Sequence, residues 1–440
     1  MPDIVTSKTF VYAEKEITAS KLNQIISGAV IQPSFVSSKP ASPTLDPTDQ
    51  MLELKGAGTY ATITGQQLID SVSASVTQNI TPTIWSVRLR SFNAISNPTF
   101  ECDQRNVGNS VVIGGSSFFI DRWRGGGVGT WGGSAQQQGA VGSELVVPGT
   151  NFQISRSFLR ITLATAQASL GANDYMAVWS LLEGPRFREL QFDVHSISLL
   201  VRSSVSGLKF GVGLRDSGST RSLTKLCTIP SANTWTLITL PNIPIWAAGG
   251  SWTAAPGSLG YQLTVSLAGG STVTAPANDT WQNGNFNSAL GQDNFASKPV
   301  SSTFDIAFVQ HEPGNQCSTL IDCPFEDNLL ACQRYYSKSS DYGTLPASGP
   351  TKLIGNVIYS AAIARCGVYF PKRMAKSPTM RFWGNAGAAN TVYVETMGAN
   401  QTVTGSNVDS TGITSVSWTT AAGASGPPSV IGMWDADTGW

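Results

Sequence analysis

The sequence predicts a mainly β protein: a small N-terminal helix-and-loop anchor, a jelly-roll-like β-sandwich, and a smaller C-terminal β domain. Three observations predict this. Charged residues make up 13% of the 440-residue chain, against about a quarter in typical globular proteins, while 44 glycines and abundant Ser and Thr punctuate it. The hydrophobic fraction of 41% is enough for a packed core. From Trp85 onward, short runs of Val, Ile, Thr, Phe and Tyr alternate with Gly/Pro/Asn/Ser turns and hardly any helical period. The amphipathic helices of about 10–15 residues that a doubly wound α/β sheet needs are missing. No repeat of about 20–50 residues suggests a propeller or β-helix. We place the divisions at 1–85, 86–324 and 325–440.

In the first segment, Thr18 is a plausible N-cap for a helix over 18–26 whose face is Leu22, Ile25 and Ile26. Pro33, Pro40, Pro43 and Pro47 rule out a helix across 33–50. Leu52, Leu54, Tyr60 and Ile63 suggest a hairpin around Gly56-Ala57-Gly58. Thr64-Gly65-Gln66-Gln67 has the form of a capping box. Ile69, Val72 and Val76 follow at helical spacing until Pro82 stops the run. This helix over 64–80 either packs on its own domain or forms a short seam, through Ile69, Val72 and Val76, where identical chains meet.

In the second segment, strands are expected at Phe158–Leu163, Leu190–Val194, Ile197–Val201, Leu208–Leu214, Trp235–Leu240, Tyr261–Leu267 and Phe304–Val309. The glycines of Arg124-Gly125-Gly126-Gly127-Val128-Gly129 read as a loop between strands. In the third, Asn328–Tyr336 reads as a short helix running into an aromatic strand. Strands follow at Ile358–Ile363, Gly367–Phe370, Thr391–Glu395, Ile413–Trp418 and Val430–Trp434.

The chemistry is narrowed mainly by what is missing. Twenty-eight basic and 28 acidic residues give no net charge, and no basic stripe is present to neutralise phosphates, so nucleic acid is not an expected partner. No secretory signal opens the chain, and no run of about 18 apolar residues could span a membrane. Synthesis in a cytoplasm without membrane insertion is expected. His311, Cys317, Cys323 and Cys332 lack the paired knuckles of a zinc site, so neither metal nor cofactor is expected. Nucleophilic catalysis usually needs a histidine base. Only His195 and His311 exist, and His195 at a strand end reads as structural. With no nucleophile elbow, P-loop or metalloprotease motif, we expect no enzyme and no catalytic residues. A glycan-cleaving carboxylate pair is the enzymatic rival, and nothing in the sequence picks one out.

Sugar binding without cleavage fits better, because aromatic faces stack on sugar C–H faces while Asp and Asn bond hydroxyls. Trp246, Trp252 and Trp281 lie in Gly/Pro/Asn-rich stretches, and Asp279 and Asn283 flank the last. These five are the candidate glycan-binding residues. The alternative is that the tryptophans pack the sandwich edge or a subunit interface.

Several phrases carry a family resemblance. Phe10–Asn23 resembles the opening of tailed-phage appendage proteins. Asn97-Pro98-Thr99-Phe100-Glu101-Cys102-Asp103-Gln104-Arg105-Asn106 and Phe119-Ile120-Asp121-Arg122-Trp123 are similar to the start of the jelly-roll domain of phage tail fibres. Thr303–Gln310 and Cys332-Gln333-Arg334-Tyr335-Tyr336 are similar to its end. Phe370-Pro371-Lys372-Arg373-Met374 with Ser377-Pro378-Thr379-Met380 resembles the phrase that follows. The resemblance implies a virion protein, a homotrimeric tail fibre that docks on other virion proteins through residues 1–85 and contacts host-surface glycan. Head fibres and capsid decoration proteins share these modules and form the alternative. Read physically, Asp121-Arg122-Trp123 offers a carboxylate–guanidinium pair shielded by an indole.

Overall fold

Residues 50–54, 60–64, 92–142, 144–146, 153–321, 323–348, 352–360, 362–419 and 429–440 are described by a computed structural model. The helices expected at 18–26 and 64–80, with the seam residues Ile69, Val72 and Val76, lie outside them, Thr64 apart. Residues 1–88 and 89–440 form two units. In the first, β1 (Gln50–Leu54) pairs antiparallel with β2 (Tyr60–Thr64), Leu54 opposite Tyr60. This is the expected hairpin.

The second unit holds the sandwich and a smaller β body. β3 (Val111–Val112), β4 (Ser117–Ile120), β5 (Trp123–Val128) and β6 (Gly132–Gly139) come first. β7 (Ser157–Thr165), β8 (Tyr175–Glu183), β9 (His195–Ser203), β10 (Leu208–Asp216), β11 (Arg221–Ile229) and β12 (Thr236–Ile243) follow. A short helix, α1 (Gly184–Arg188), separates β8 from β9, and β13 (Leu259–Gly269), β14 (Gln282–Asn283) and β15 (Thr303–Pro313) complete the set. One sheet runs β14-β11-β10-β13-β8-β5-β4 and the other β12-β9-β15-β7-β6-β3. The central eight strands thus alternate between sheets as β8-β13-β10-β11 facing β7-β15-β9-β12, the wrapping of a jelly roll.

Apolar residues at every second strand position explain this arrangement. Met176, Val178 and Leu182 of β8, Leu263 and Val265 of β13, and Phe210 and Val212 of β10 meet Leu159, Ile161, Leu199, Val201 and Phe304 of the opposite sheet in one core. Each such side chain contributes about 1.5–3 kcal/mol by leaving water. Outside the six-stranded sheet, Phe158, Leu200, Phe308, Leu145 and Ile154 form a second cluster. Asp305 binds Arg160 and Arg202 there, each at 2.8 Å. That face is therefore closed.

After α2 (Phe325–Gln333) come β16 (Tyr336–Lys338), β17 (Lys352–Ser360), β18 (Ile363–Tyr369), β19 (Thr379–Trp383), β20 (Thr391–Val394), β21 (Ala399–Val408), β22 (Gly412–Trp418) and β23 (Val430–Asp437). The first half of β23 pairs with both β17 and β20, closing β17-β18-β22-β21-β20-β23 into a small barrel. Its second half pairs with β16 and β19. Val392, Val394, Val416, Trp418 and Val430 fill the barrel core.

Three expectations are corrected. Leu190–Val194 is not a strand: Leu190 closes the turn after α1 by donating to the Phe187 carbonyl, and Phe192 is 82% exposed. The alternation there comes from a turn with one anchor. Ile358–Ile363 is not one strand, because Ser360 pairs with Ile363 and the run folds back as the β17–β18 hairpin. Most of the glycine run is β5, not a loop. A Cβ on Gly126 would lie 1.6 Å from the Gly115 carbonyl oxygen, so the backbone passes where only glycine fits.

Candidate functional site

The three tryptophans nominated by the sequence do come together. Ring centroids lie 4.8 Å apart for Trp246–Trp252 and 5.4 Å apart for both Trp246–Trp281 and Trp252–Trp281. Phe187 stacks on Trp252 at 5.7 Å, and Tyr261 lies 4.9 Å from Trp246. Every indole N–H in the trio is held inside the protein: Trp246 by the Leu190 carbonyl at 3.0 Å, Trp252 by Ala247 at 2.7 Å, and Trp281 by Ile245 at 3.0 Å. Trp246 is buried, and Trp252 and Trp281 are half-buried. Asp279 is exposed and paired with Lys225 at 2.7 Å, and Asn283 is exposed in the β14–β11 pairing. The tryptophan faces stack on one another and seal the sandwich edge, with Asp279 and Asn283 on the exposed surface of the same loop segment as Trp281.

Beneath Trp246 lies a buried histidine pair. Tyr261 Oη sits 2.8 Å from His311 Nδ1, and His311 Nε2 sits 2.8 Å from His195 Nδ1. His195 stacks on Trp246 at 4.7 Å. Burial pushes His195 down to about 3, against the opposing pull of the Pro244 carbonyl. Burial, and then the neighbouring His195, hold His311 well below the usual imidazole range. Both rings are neutral at pH 7 and serve as polar links in the core.

Sequence reasoning missed a different surface, the outer face of the seven-stranded sheet. Since Met176, Val178 and Leu182 face the core, alternation turns Tyr175, Trp179, Leu181 and Glu183 of β8 outward. By register, Trp179 lies beside Thr264 of β13 and Arg124 of β5, and Gln262 of β13 lies beside Arg215 of β10. Unlike the edge tryptophans, Trp179 has an indole N–H with no hydrogen bond among the described residues. Arg215 donates to Asn285 Oδ1, while its Nε has no partner. Burial drags Arg215 below the usual guanidinium range, and only Tyr175 and Asp216 oppose it. Trp179 is 9% exposed, and Gln262 and Thr264 beside it are buried, so this face is packed and offers no open platform. A weak signal existed in Tyr175-x-x-x-Trp179, but the intervening residues are nearly all apolar and hide the alternation.

At the Glu183 end of this face stands the barrel. Arg334 Nε meets Glu183 Oε2 at 2.8 Å, and Tyr335 Oη meets the same oxygen at 2.9 Å. Two of the phrases that carried the family resemblance, 97–106 and 119–123, meet here, while Phe10–Asn23 lies outside the described residues. Asn97 Nδ2 donates to the Cys102 and Asp121 carbonyls at 2.8 and 2.7 Å, and Asn97 N–H donates to Asn328. Asp121 does not pair with its neighbour Arg122. It accepts from Gln104 Nε2 at 2.7 Å and faces Arg105 at 3.6 Å, while Arg122 lies 3.6 Å over the Tyr335 ring. A tight turn separates the adjacent side chains, Arg122 taking φ +70°. Burial pushes Asp121 up to about 6, Arg105 pulling the other way. Arg105 also bridges to Asp437 of β23 at 3.0 Å. Next to the junction opens a cleft of about 650 Å³ lined by Arg334, Arg373, Lys376, Ser377, Asp409 and Ser410, among others.

Among the described residues, no group of three or more His, Cys, Asp and Glu is placed to hold a metal ion, and no helix is long and apolar enough to cross a membrane. No protein-family model matches the chain, and no curated protein matches it. Solved structures align over about half of it. TmCBM61 in complex with beta-1,4-galactotriose aligns at TM-score 0.27 and 13% identity, over 51% of this chain and 99% of that one. The family 11 carbohydrate-binding module from Clostridium thermocellum, in complex with a mixed-linked tetrasaccharide, aligns at 0.22 and 10%, over 44% and 90%. The enzymatically active domain of bacteriophage CBA120 tailspike protein 4 aligns at 0.26 and 9%, over 50% of this chain but 21% of that one. Likeness this low assigns neither ligand nor activity here.

Proposed function

We propose that this chain is a glycan-binding attachment protein of a virus particle, a homotrimeric tail fibre that binds sugars without cleaving them. The observation that carries the glycan reading is the tryptophan edge, where the half-buried Trp252 and Trp281 adjoin the exposed Asp279 and Asn283. The phage assignment draws its support from the resemblance, two of whose phrases, 97–106 and 119–123, are hydrogen-bonded to each other inside the protein.

The test is a glycan array probed with the full-length protein and with Trp281→Ala. At least one bacterial surface glycan should bind, and the variant, checked to be folded, should bind it roughly tenfold more weakly, about 1.4 kcal/mol. Undiminished binding by Trp281→Ala would remove the site. Shortened polysaccharide after incubation would overturn the non-enzymatic reading, and antibody label on the capsid would replace tail fibre by head fibre or decoration protein.

A further inference from the structure

Two buried thiols meet where the start of the sandwich packs on α2. Asn328 and Cys332 are the buried residues of α2, spaced i, i+4 and hence on one face of the helix. Asn328 Nδ2 donates to Asn97 Oδ1 at 3.2 Å, and the same oxygen accepts the Cys102 N–H at 3.1 Å. This shared acceptor brings the backbone at Cys102 up to the inner face of α2, where the Cys332 and Cys102 thiols are hydrogen-bonded to each other. Both residues are fully buried. Burial, and then the Cys102 thiol, hold the Cys332 thiol well above the usual range, while the Arg122 guanidinium pulls the other way.

Three of the other cysteines are placed differently. Cys317 and Cys366 donate to the carbonyls of Ile197 and Ala364 at 3.4 and 3.8 Å, and Cys227 sits in the sandwich core. Arg122 adds a second distinction to the buried pair. Its Nε and Nη1 have no hydrogen-bond partner among the described residues, so a cation stands beside Cys332 that favours the reactive thiolate once the site opens.

We propose that Cys102 and Cys332 form a disulfide when the chain meets a small-molecule disulfide such as oxidised glutathione, locking α2 to the start of the sandwich. One protein thiolate attacks the small disulfide, forming a mixed disulfide and expelling one small thiolate. The second protein thiolate then attacks the protein sulfur of that mixed disulfide, closing the Cys102–Cys332 bond and expelling the other. Two protein thiols are oxidised, one small disulfide is reduced to two thiols, and the protons pass to the expelled thiolates. The sulfurs must close from contact to about 2.05 Å. The bond also steadies the approach to the barrel, because the Cys332 carbonyl accepts the Tyr335 N–H at 2.8 Å and Tyr335 in turn holds Glu183. Closing so long a loop removes entropy from the unfolded chain, which stabilises the folded one. This latch does not depend on whether the chain binds sugar.

The experiment equilibrates the full-length chain with glutathione buffers of rising oxidised fraction, in urea well below the denaturation midpoint so that local opening admits the reagent. Remaining thiols are then blocked, and the links are mapped by peptide mass spectrometry. A Cys102–Cys332 link should be the first to form within a chain, with the loss of two hydrogens. The oxidised protein, returned to urea-free buffer, should melt several degrees above the reduced one, and the difference should vanish in Cys332→Ala treated identically. Blocked, unlinked Cys102 and Cys332 at the most oxidising ratio overturn the proposal, as does any other pair closing first. A link that leaves the melting temperature unchanged overturns its role as a latch.

Discussion

Asn97 shows how much a single side chain can organise. It takes φ +56°, which asparagine tolerates better than most residues, and its amide ties the Cys102 backbone, the turn at Asp121 between β4 and β5, and Asn328 of α2 together. Asn97→Ala strands the Cys102 amide and the Cys102 and Asp121 carbonyls inside the protein. A loss of about 2–4 kcal/mol is expected in urea denaturation; a loss under 1 kcal/mol would show that water repairs the site. The buried histidines make a second prediction at this scale. Below the unfolded value near 6.5 the unfolded chain takes up two protons that the folded rings refuse. Their contribution is complete above pH 6.5 and is lost as pH falls. Asp121, raised to about 6, works in the opposite sense between pH 4 and 6, since its folded form keeps a proton that the unfolded one releases. The histidines make stability fall as pH drops below 6.5, and the two raised carboxylates, Asp121 and Asp103, offset part of the fall at lower pH. Denaturation midpoints between pH 7 and 6 check the sign, and stability rising on acidification there would contradict the neutral pair.

Among the elements, β5 and β8 deserve comparison. Gly126→Ala forces a Cβ into the Gly115 backbone, and a melting-temperature drop equivalent to at least 2 kcal/mol is expected. Gly139→Ala, with nothing within 4 Å, should change stability by less than about 0.5 kcal/mol. Equal effects would mean that β5 is not where it is placed. The contrast also shows what the sequence could reveal. Strands with β-branched or aromatic residues between clear turns, such as Leu208–Leu214 and Tyr261–Leu267, were legible because one face is apolar. β5 was not, since a run of glycines has no face at all. β8 was missed because Ala177 and Leu181, though outward, are as apolar as the core positions. The tryptophans nominated from the sequence lie together, but whether their indoles meet solvent depends on how the 270–292 segment folds against the edge, and periodicity carries no information about that.

For residues 89–440 as a whole, the question is what couples sandwich to barrel. Glu183, Arg334 and Tyr335 form one shared buried knot, with Asp121, Arg105 and Asp437 another. Glu183→Ala leaves Arg334 without its carboxylate and Tyr335 without its acceptor. Calorimetry of the wild type should show these residues melting in one transition, whereas the variant should show the barrel melting first, several degrees lower. A single shifted transition would place the coupling elsewhere, at the Arg105–Asp437 contact.

The closure of the barrel by β23 also sets an order in time. The last jelly-roll strand is complete at residue 313, so a chain emerging from the ribosome can finish its sandwich while the barrel is still unmade. β17 and β20 share a partner that arrives only with residues 430–437, and until then both carry unpaired backbone edges. The chain must pass through a stage with a finished sandwich and an open, adhesive tail. In that interval neighbouring copies are most apt to pair wrongly, and a premature stop within the barrel would be harmful out of proportion to the few residues lost.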